Sequence, residues 1–200
     1  GFAKLLRRGN LTEEQKEEYL AVIEEESLRL SYMATNVLNL TKVENQAILT
    51  DVTTYNLSEQ IRSALLLLAD KWTQKNLKLD IELQEYTIEA NEELLKQIWI
   101  NLLDNAIKFS EAGGMVTVEG KVEGDYIAVT ISNRGNKIPR ESIERIFQKF
   151  YQADESHSSE GNGIGLAIVK KVVELHRGTV GVVSENGRTT FTVWLPLRQG

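Results

Sequence analysis

The chain has no cysteine, which excludes a disulfide scaffold and a thiolate metal site. It has only two prolines in 200 residues, a composition at odds with long disordered linkers. Long apolar runs are missing too. The longest, Ala64 to Ala69, is far too short to span a bilayer, and no signal peptide is visible. Positive charge is in deficit: 23 Lys and Arg face 29 Asp and Glu, a net charge of -6. Nonspecific binding to duplex nucleic acid is therefore not expected, and neither is membrane contact by these residues. Histidine is scarce, with only His157 and His176 present. What remains, 42% hydrophobic and 26% charged, is ordinary for a soluble globular chain, and the length suits one domain plus a smaller element. The chain opens at Gly1-Phe2 without a methionine, so it is expected to be part of something longer.

Residues 12–45 read as one helix. Thr12 before Glu13 and Glu14 makes an N-cap with an acidic first turn. Ile23, Leu30 and Val37 recur every seven residues, interleaved with Glu26, Met33 and Leu40 and extended by Tyr19. This is a heptad seam with one polar member, which needs a partner helix or a second subunit to be buried. Phe2 to Leu6, followed by Arg7-Arg8-Gly9-Asn10, reads as the end of an earlier helix and a turn. The first part is thus expected to be a truncated helical hairpin. Between Asn45 and Tyr55 the composition shifts to Thr, Asp and β-branched residues, which divides the chain into 1–50 and 51–200.

Downstream, Ser58 is expected to cap a helix running to about Trp72, and Leu77 to Leu83 alternates as a strand. Asn91 opens a helix ending near Phe109, and Gly113-Gly114 is a turn. Met115 to Val122 and Tyr126 to Ser132 read as a strand hairpin. Arg140 to Phe150 is a short amphipathic helix or two turns, and Ile164 to His176 is a helix. Thr179 to Ser184 and Thr189 to Leu195 pair around Asn186-Gly187. The pattern predicts an α+β fold, a two-layer sandwich of three main helices on a mixed five-stranded sheet.

Three constellations carry chemistry. On the helix opened by Asn91, the residues Asn101, Asn105 and Lys108 fall at i, i+4 and i+7 and share a face, while Leu94, Ile98, Leu102 and Phe109 lie on or near the apolar one. An amide oxygen can ligate Mg²⁺, and a lysine can meet a phosphate as a point charge. A solvated polar face explains the same residues about as well. Gly161, Asn162, Gly163, Ile164, Gly165 and Leu166 open the last long helix, where small residues and a helix N-terminus suit an anion. No strand precedes them and no Gly-Lys-Ser/Thr ends them, so neither a dinucleotide fold nor a P-loop is indicated, and a flexible turn is the plain alternative. Ile131 to Pro139, with Asn133, Gly135 and Ile138, leaves a strand in a way that could read a ligand edge, although alone it is an ordinary loop.

In combination and in this order, these stretches resemble the nucleotide-binding boxes of bacterial sensor histidine kinases. Asn101 to Phe109 is similar to the asparagine box, and Asn133 to Ile138 occupies the place of the first glycine box. Phe147-Gln148-Lys149-Phe150-Tyr151 resembles the phenylalanine box, Gly161 to Leu166 the second glycine box within a lid, and Gly187 to Phe191 the last box. The N-terminal part is similar to the second helix of the family's dimerisation and phosphotransfer domain, including Arg29-Leu30 and Val37 to Leu40. The resemblance implies an ATP site with Mg²⁺. Asn105 would ligate the metal, Asn101 would support the metal and phosphate end, and Lys108 would contact phosphate. Phe109 and Ile138 would line the adenine pocket with Thr189 near the adenine edge. Gly161, Gly163, Ile164, Gly165 and Leu166 would let the lid approach the phosphates, and Phe147 and Phe150 would anchor it to the body. It further implies transfer of the ATP γ-phosphoryl group to a histidine, a homodimer through the helical hairpin, a response-regulator receiver domain as partner, and a cytoplasmic location in a membrane-anchored sensor.

The sequence departs from the family's pattern in places. Asn133 stands where an Asp usually accepts a hydrogen bond from the adenine amino group, and a neutral acceptor is expected to cost about 1 kcal/mol of affinity. Lys137 and Arg188 replace glycines and could narrow the pocket or add positive charge to it. The box bearing the phosphorylated histidine is not found. His157 reads as a solvated loop residue and His176 as a partly cationic ring at a helix C-terminus, so self-phosphorylation is not expected. Three alternatives remain: a non-catalytic dimerisation module with a degenerate ATP site, a mismatch-repair or chaperone ATPase, and a serine-directed anti-sigma kinase. The second would want a glutamate base at the place of Asn101, and an amide cannot take a proton.

Overall fold

The computed structural model describes residues 1–7, 11–135, 137–153 and 163–199, except for the side chain of Tyr32. The chain divides into two compact units, Gly1–Thr41 and Lys42–Gly200.

The first unit holds helix α1 (Phe2–Leu6) and most of helix α2 (Glu13–Asn45). Thr12 starts α2 through a reciprocal capping box: its Oγ1 accepts from the Gln15 backbone N–H at 3.2 Å, and its own N–H donates to Gln15 Oε1 at 3.1 Å. Phe2 and Tyr19 pack with ring centroids 5.2 Å apart and their planes tilted by 47°. Leu20, Leu28, Leu30, Met33, Val37 and Leu38 are exposed along α2.

The second unit contains strand β1 (Val52–Asn56), helices α3 (Leu57–Leu67) and α4 (Ala69–Gln74), strands β2 (Lys78–Glu82) and β3 (Thr87–Asn91), helix α5 (Glu92–Phe109), strands β4 (Met115–Glu123) and β5 (Tyr126–Arg134), helices α6 (Arg140–Ile143) and α7 (Gly165–Leu175), and strands β6 (Thr179–Glu185) and β7 (Arg188–Pro196). Five strands form one mixed sheet in the order β2-β4-β5-β7-β6, parallel only between β2 and β4. The expected α+β sandwich of three main helices on a mixed five-stranded sheet is what forms. Alternate residues of the central strands, Ile127, Val129 and Ile131 on β5 and Phe191, Val193 and Leu195 on β7, are buried on one face. Against that layer α5 supplies Leu95, Ile98, Trp99, Leu102 and Leu103, and α7 supplies Ile168, Val169, Val172 and Val173, all buried. Each such side chain contributes about 1.5–3 kcal/mol on leaving water. A polar knot sits within this core. Gln60 Oε1 accepts from Trp99 Nε1 at 2.9 Å and from the Tyr55 hydroxyl at 3.1 Å, while its Nε2 donates to the Glu92 carbonyl at 2.8 Å.

Two local expectations need correction. Asn56, not Ser58, caps α3, accepting from Glu59 N–H at 3.1 Å. Ser58 Oγ is engaged elsewhere, donating to Gln84 O at 2.5 Å and accepting from Tyr86 N–H at 3.1 Å. The helix after it does not run unbroken to Trp72. It breaks at Leu68, where the Trp72 indole N–H takes the Leu65 carbonyl at 3.1 Å. The small antiparallel sheet of β1 and β3 was not foreseen; it holds Val52 opposite Asn91 and Asn56 opposite Thr87. No helix among the described residues is long and apolar enough to cross a membrane.

Candidate functional site

Helix α5 positions the site. Asn91 caps it through Oδ1, which accepts from Leu94 N–H at 2.9 Å, and its apolar side is sealed in the core. That leaves Asn101, Asn105 and Lys108 half-buried on the opposite side, as the spacing required. The far end of the helix is held by Lys75, whose Nζ donates to the carbonyls of Ile107, Lys108 and Ser110 at 3.2, 2.5 and 3.3 Å. An ammonium on the last carbonyls of a helix satisfies orphan acceptors and offsets the dipole. Lys71 pairs with Asp104 at 2.5 Å on the same helix.

The start of α7 stands against this side of α5. A Cβ on Gly165 would lie 2.5 Å from Asn101 Oδ1, so a side chain there would push the amide aside. Asn101 Nδ2 donates to the Gln97 carbonyl at 2.7 Å, which orients the amide and leaves its oxygen toward α7. Ile164, at the N-cap position of α7, is buried and has no polar side chain with which to cap the helix. An amide oxygen and the positive end of a helix therefore converge. Leu166, in the first turn, is half-buried.

The end of β5 meets the end of α5. A Cβ on Gly135 would lie 1.8 Å from the Phe109 carbonyl oxygen, and Ser110 and Gly135 form an antiparallel bridge. Lys108 Nζ lies 4.7 Å from the Phe109 ring centroid, and that ring is 37% exposed. Asn133 is buried on the helix-covered face of the sheet, opposite Thr189 in register, and its Nδ2 has no hydrogen-bond partner. Ser184 Oγ accepts from Ile138 N–H at 2.9 Å and lies 2.9 Å from Thr189 Oγ1, so it stitches the loop after β5 to β6 and β7. Neither Ser184 nor Lys75 was singled out from the sequence. A serine in a β-branched strand and a lysine at a helix end carry no distinctive signal.

Phe147 packs edge-on against Phe191, 6.4 Å between centroids at 88°, which fastens its segment to the sheet. Phe150 does not anchor through its ring, which is 59% exposed. Its backbone does the work: in a left-handed conformation (φ 62°), Phe150 N–H donates to Gly163 O at 2.9 Å. Gly163 has φ +66°, and a Cβ there would meet the Phe150 carbonyl carbon at 2.7 Å. Gly161 and His157 lie outside the described residues.

Two further expectations are overturned. Arg188 neither narrows the pocket nor charges it: its Nε and Nη2 donate to Ser132 Oγ at 3.1 and 2.6 Å, on the sheet face away from Asn133. His176 is not a partly cationic ring. It is fully buried, its Nδ1 donates to the Val172 carbonyl at 2.8 Å, and its Nε2 accepts from Asn91 N–H at 3.2 Å. Burial pushes its pKa below the ordinary imidazole value, with the Val172 bond opposing, so the ring is neutral.

Residues 90–199 match the family model of histidine kinase-, DNA gyrase B- and HSP90-like ATPases. The chain belongs to this ATPase family. Its nucleotide-binding domain is of the kind that sensor histidine kinases carry. The circadian input-output histidine kinase CikA of Synechococcus elongatus is 35% identical over 195 residues, which cover 94% of this chain and 26% of that protein. The heme sensor protein HssS of Staphylococcus saprophyticus is 36% identical over 183 residues, covering 91% of this chain and 39% of that one. Among solved structures, full-length ShkA in complex with AMPPNP superimposes with a TM-score of 0.77 at 27% identity, covering 99% of this chain and 42% of that one. The chain thus spans between a quarter and two fifths of the curated relatives' length. ATP binding belongs to the family, so the ATPase domain here is read as an ATP site.

Proposed function

We propose that ATP binds along the side of α5 that faces the start of α7, with its base toward Asn133 and its phosphates toward Asn101, and that the protein transfers the γ-phosphoryl group to a histidine. The observation that carries this reading is the close approach of Gly165 to Asn101 Oδ1 at the start of helix α7. Phosphoryl transfer is mainly a matter of position and charge, and this arrangement supplies both. Lys108 contributes positive charge at the phosphates, and Asn101 orients them. Gly163, Ile164, Gly165 and Leu166 present the backbone of α7 closely enough to meet phosphate oxygens. Ile138 and Phe109 flank the base, with Gly135 allowing their segments to touch and Thr189 beside the base edge. Phe147 and the backbone of Phe150 fix the segment leading to α7.

The donor set also fits Mg²⁺. Among the described residues no cluster of His, Cys, Asp or Glu could hold a metal ion, and the oxygen set against Gly165 is the amide of Asn101, a hard donor of the kind Mg²⁺ accepts. Asn105 would hold the ion, with Asn101 in support. When bound, Mg²⁺ neutralises phosphate charge.

The histidine acceptor is not His176, whose two ring nitrogens are both engaged in the core. In the reading favoured here residues 1–50 belong to a helical hairpin that pairs two copies of the protein, since α2 exposes an apolar seam. The phosphohistidine then serves an aspartate of a response-regulator receiver domain in the cytoplasm.

Calorimetric titration with ADP, with and without Mg²⁺, tests the site. Mg²⁺-dependent saturation is expected, weakened about tenfold in Asn105→Ala. An absence of both heat and thermal stabilisation at millimolar nucleotide would reject the reading.

A further inference from the structure

We propose that the base pocket does not discriminate at the 6-position of a purine: it takes a 6-oxo purine nucleotide about as well as an adenine nucleotide, and Asn133 is the residue responsible. The inference rests on the proposed ATP site and concerns its selectivity.

Asn133 is 4% exposed, and its Nδ2 is buried without an acceptor. The hydroxyl of Thr189, its neighbour across the sheet, is 2.9 Å from Ser184 Oγ and does not bond the Asn133 nitrogen. Buried amide donors are nearly always paired, so an orphan beside the proposed base site points to a group the ligand brings. The orphan is also chemically informative. A carboxylate can only accept, whereas a carboxamide both accepts and donates. The edge of adenine offers a donor at its 6-amino group beside an acceptor at N1. The edge of hypoxanthine offers the reverse, an acceptor at O6 beside a donor at N1. Turning the carboxamide by half a revolution exchanges its oxygen and nitrogen with almost no change of shape. One orientation therefore suits adenine and the other suits the 6-oxo base, and neither leaves the amide nitrogen unpaired. A carboxylate at this position would meet O6 with a lone pair and reject it, because sites that leave buried polar groups mismatched discriminate strongly. Arg188, held on the opposite sheet face, and the exposed Lys137 leave the amide as the deciding group.

The test is calorimetric titration of the chain with ADP and with IDP, which differ at the 6-position without the added 2-amino group of GDP. The expected result is IDP binding within about tenfold of ADP, with Asn133→Asp widening the gap by at least about a further tenfold, one neutral hydrogen bond's worth. Saturable ADP binding with IDP more than about tenfold weaker overturns the inference and leaves the ATP site standing. Binding of neither nucleotide removes the ATP site and the inference with it. A gap unchanged by Asn133→Asp also overturns it, since another group would then set the selectivity. Where the carboxylate variant does not fold, the ratio measured on the unaltered chain decides alone.

Discussion

Replacing Gly165 by alanine separates the two roles this position serves. An added Cβ would lie 2.5 Å from Asn101 Oδ1, against about 3.4 Å for ordinary contact, so the amide must retreat by about 0.9 Å. That movement breaks the 2.7 Å bond from Asn101 Nδ2 to the Gln97 carbonyl, a loss of about 0.5–1.5 kcal/mol. Alanine in place of glycine in the first turn of α7 returns roughly 0.5–1 kcal/mol by reducing the freedom of the unfolded chain. Stability of the nucleotide-free protein should therefore change by less than about 1 kcal/mol. Binding should suffer more. An oxygen displaced from charged partners forfeits about 1.5–3 kcal/mol, which is about 10- to 100-fold in Kd. Urea denaturation without nucleotide reads the first quantity and ADP titration with Mg²⁺ reads the second. Unchanged affinity in a folded Gly165→Ala protein would refute the claim that Asn101 and the start of α7 share one ligand.

Two further outcomes follow from neighbouring contacts. Gly135→Ala should be severe, because its Cβ would meet a backbone oxygen at 1.8 Å that cannot swing aside; a loss above about 3 kcal/mol in urea melts is expected, and a native-like midpoint would contradict the geometry. His176 makes stability depend on pH. Its folded pKa is lowered by burial, so the unfolded chain takes up the proton first: stability is full above the unfolded value of about 6.5 and falls with acidification until the folded pKa is reached. The slope approaches about 1.4 kcal/mol per pH unit in that window, and His176→Gln should flatten it relative to the unaltered protein.

Much of this arrangement was legible in the residues. The spacing of Asn101, Asn105 and Lys108 placed them on one side of α5 because a helix leaves little choice once Leu95, Ile98, Trp99 and Leu102 claim the other. The strands of the main sheet showed as alternation. β3 did not, since only Ile88 and Ala90 alternate in it, and its partner β1 is mostly exposed. Three of the errors share one cause. Where Arg188 points, which residue caps α3 and whether His176 is charged depend on groups distant in sequence: Ser132, Gln84 and Asn91 respectively. A local pattern carries no record of such partners. The grip of Phe150 was missed for another reason, since it is the backbone and not the aromatic ring that makes the contact.

The strand order has a consequence for how the molecule comes into being. β5 lies between β4, which precedes it at once, and β7, which ends the sheet more than fifty residues later. During synthesis the edge of β5 that receives β7, including the residue opposite Thr189, has no neighbour until Arg188 and the residues after it have been made. This side of β5 therefore closes later than the β4–β5 hairpin, and closing it means joining distant segments, the slow kind of step in folding. Until then the protein carries an open strand edge of the sort that invites wrong partners. A chain cut before Arg188 keeps α5 but lacks Thr189 and so one wall of the base site proposed above.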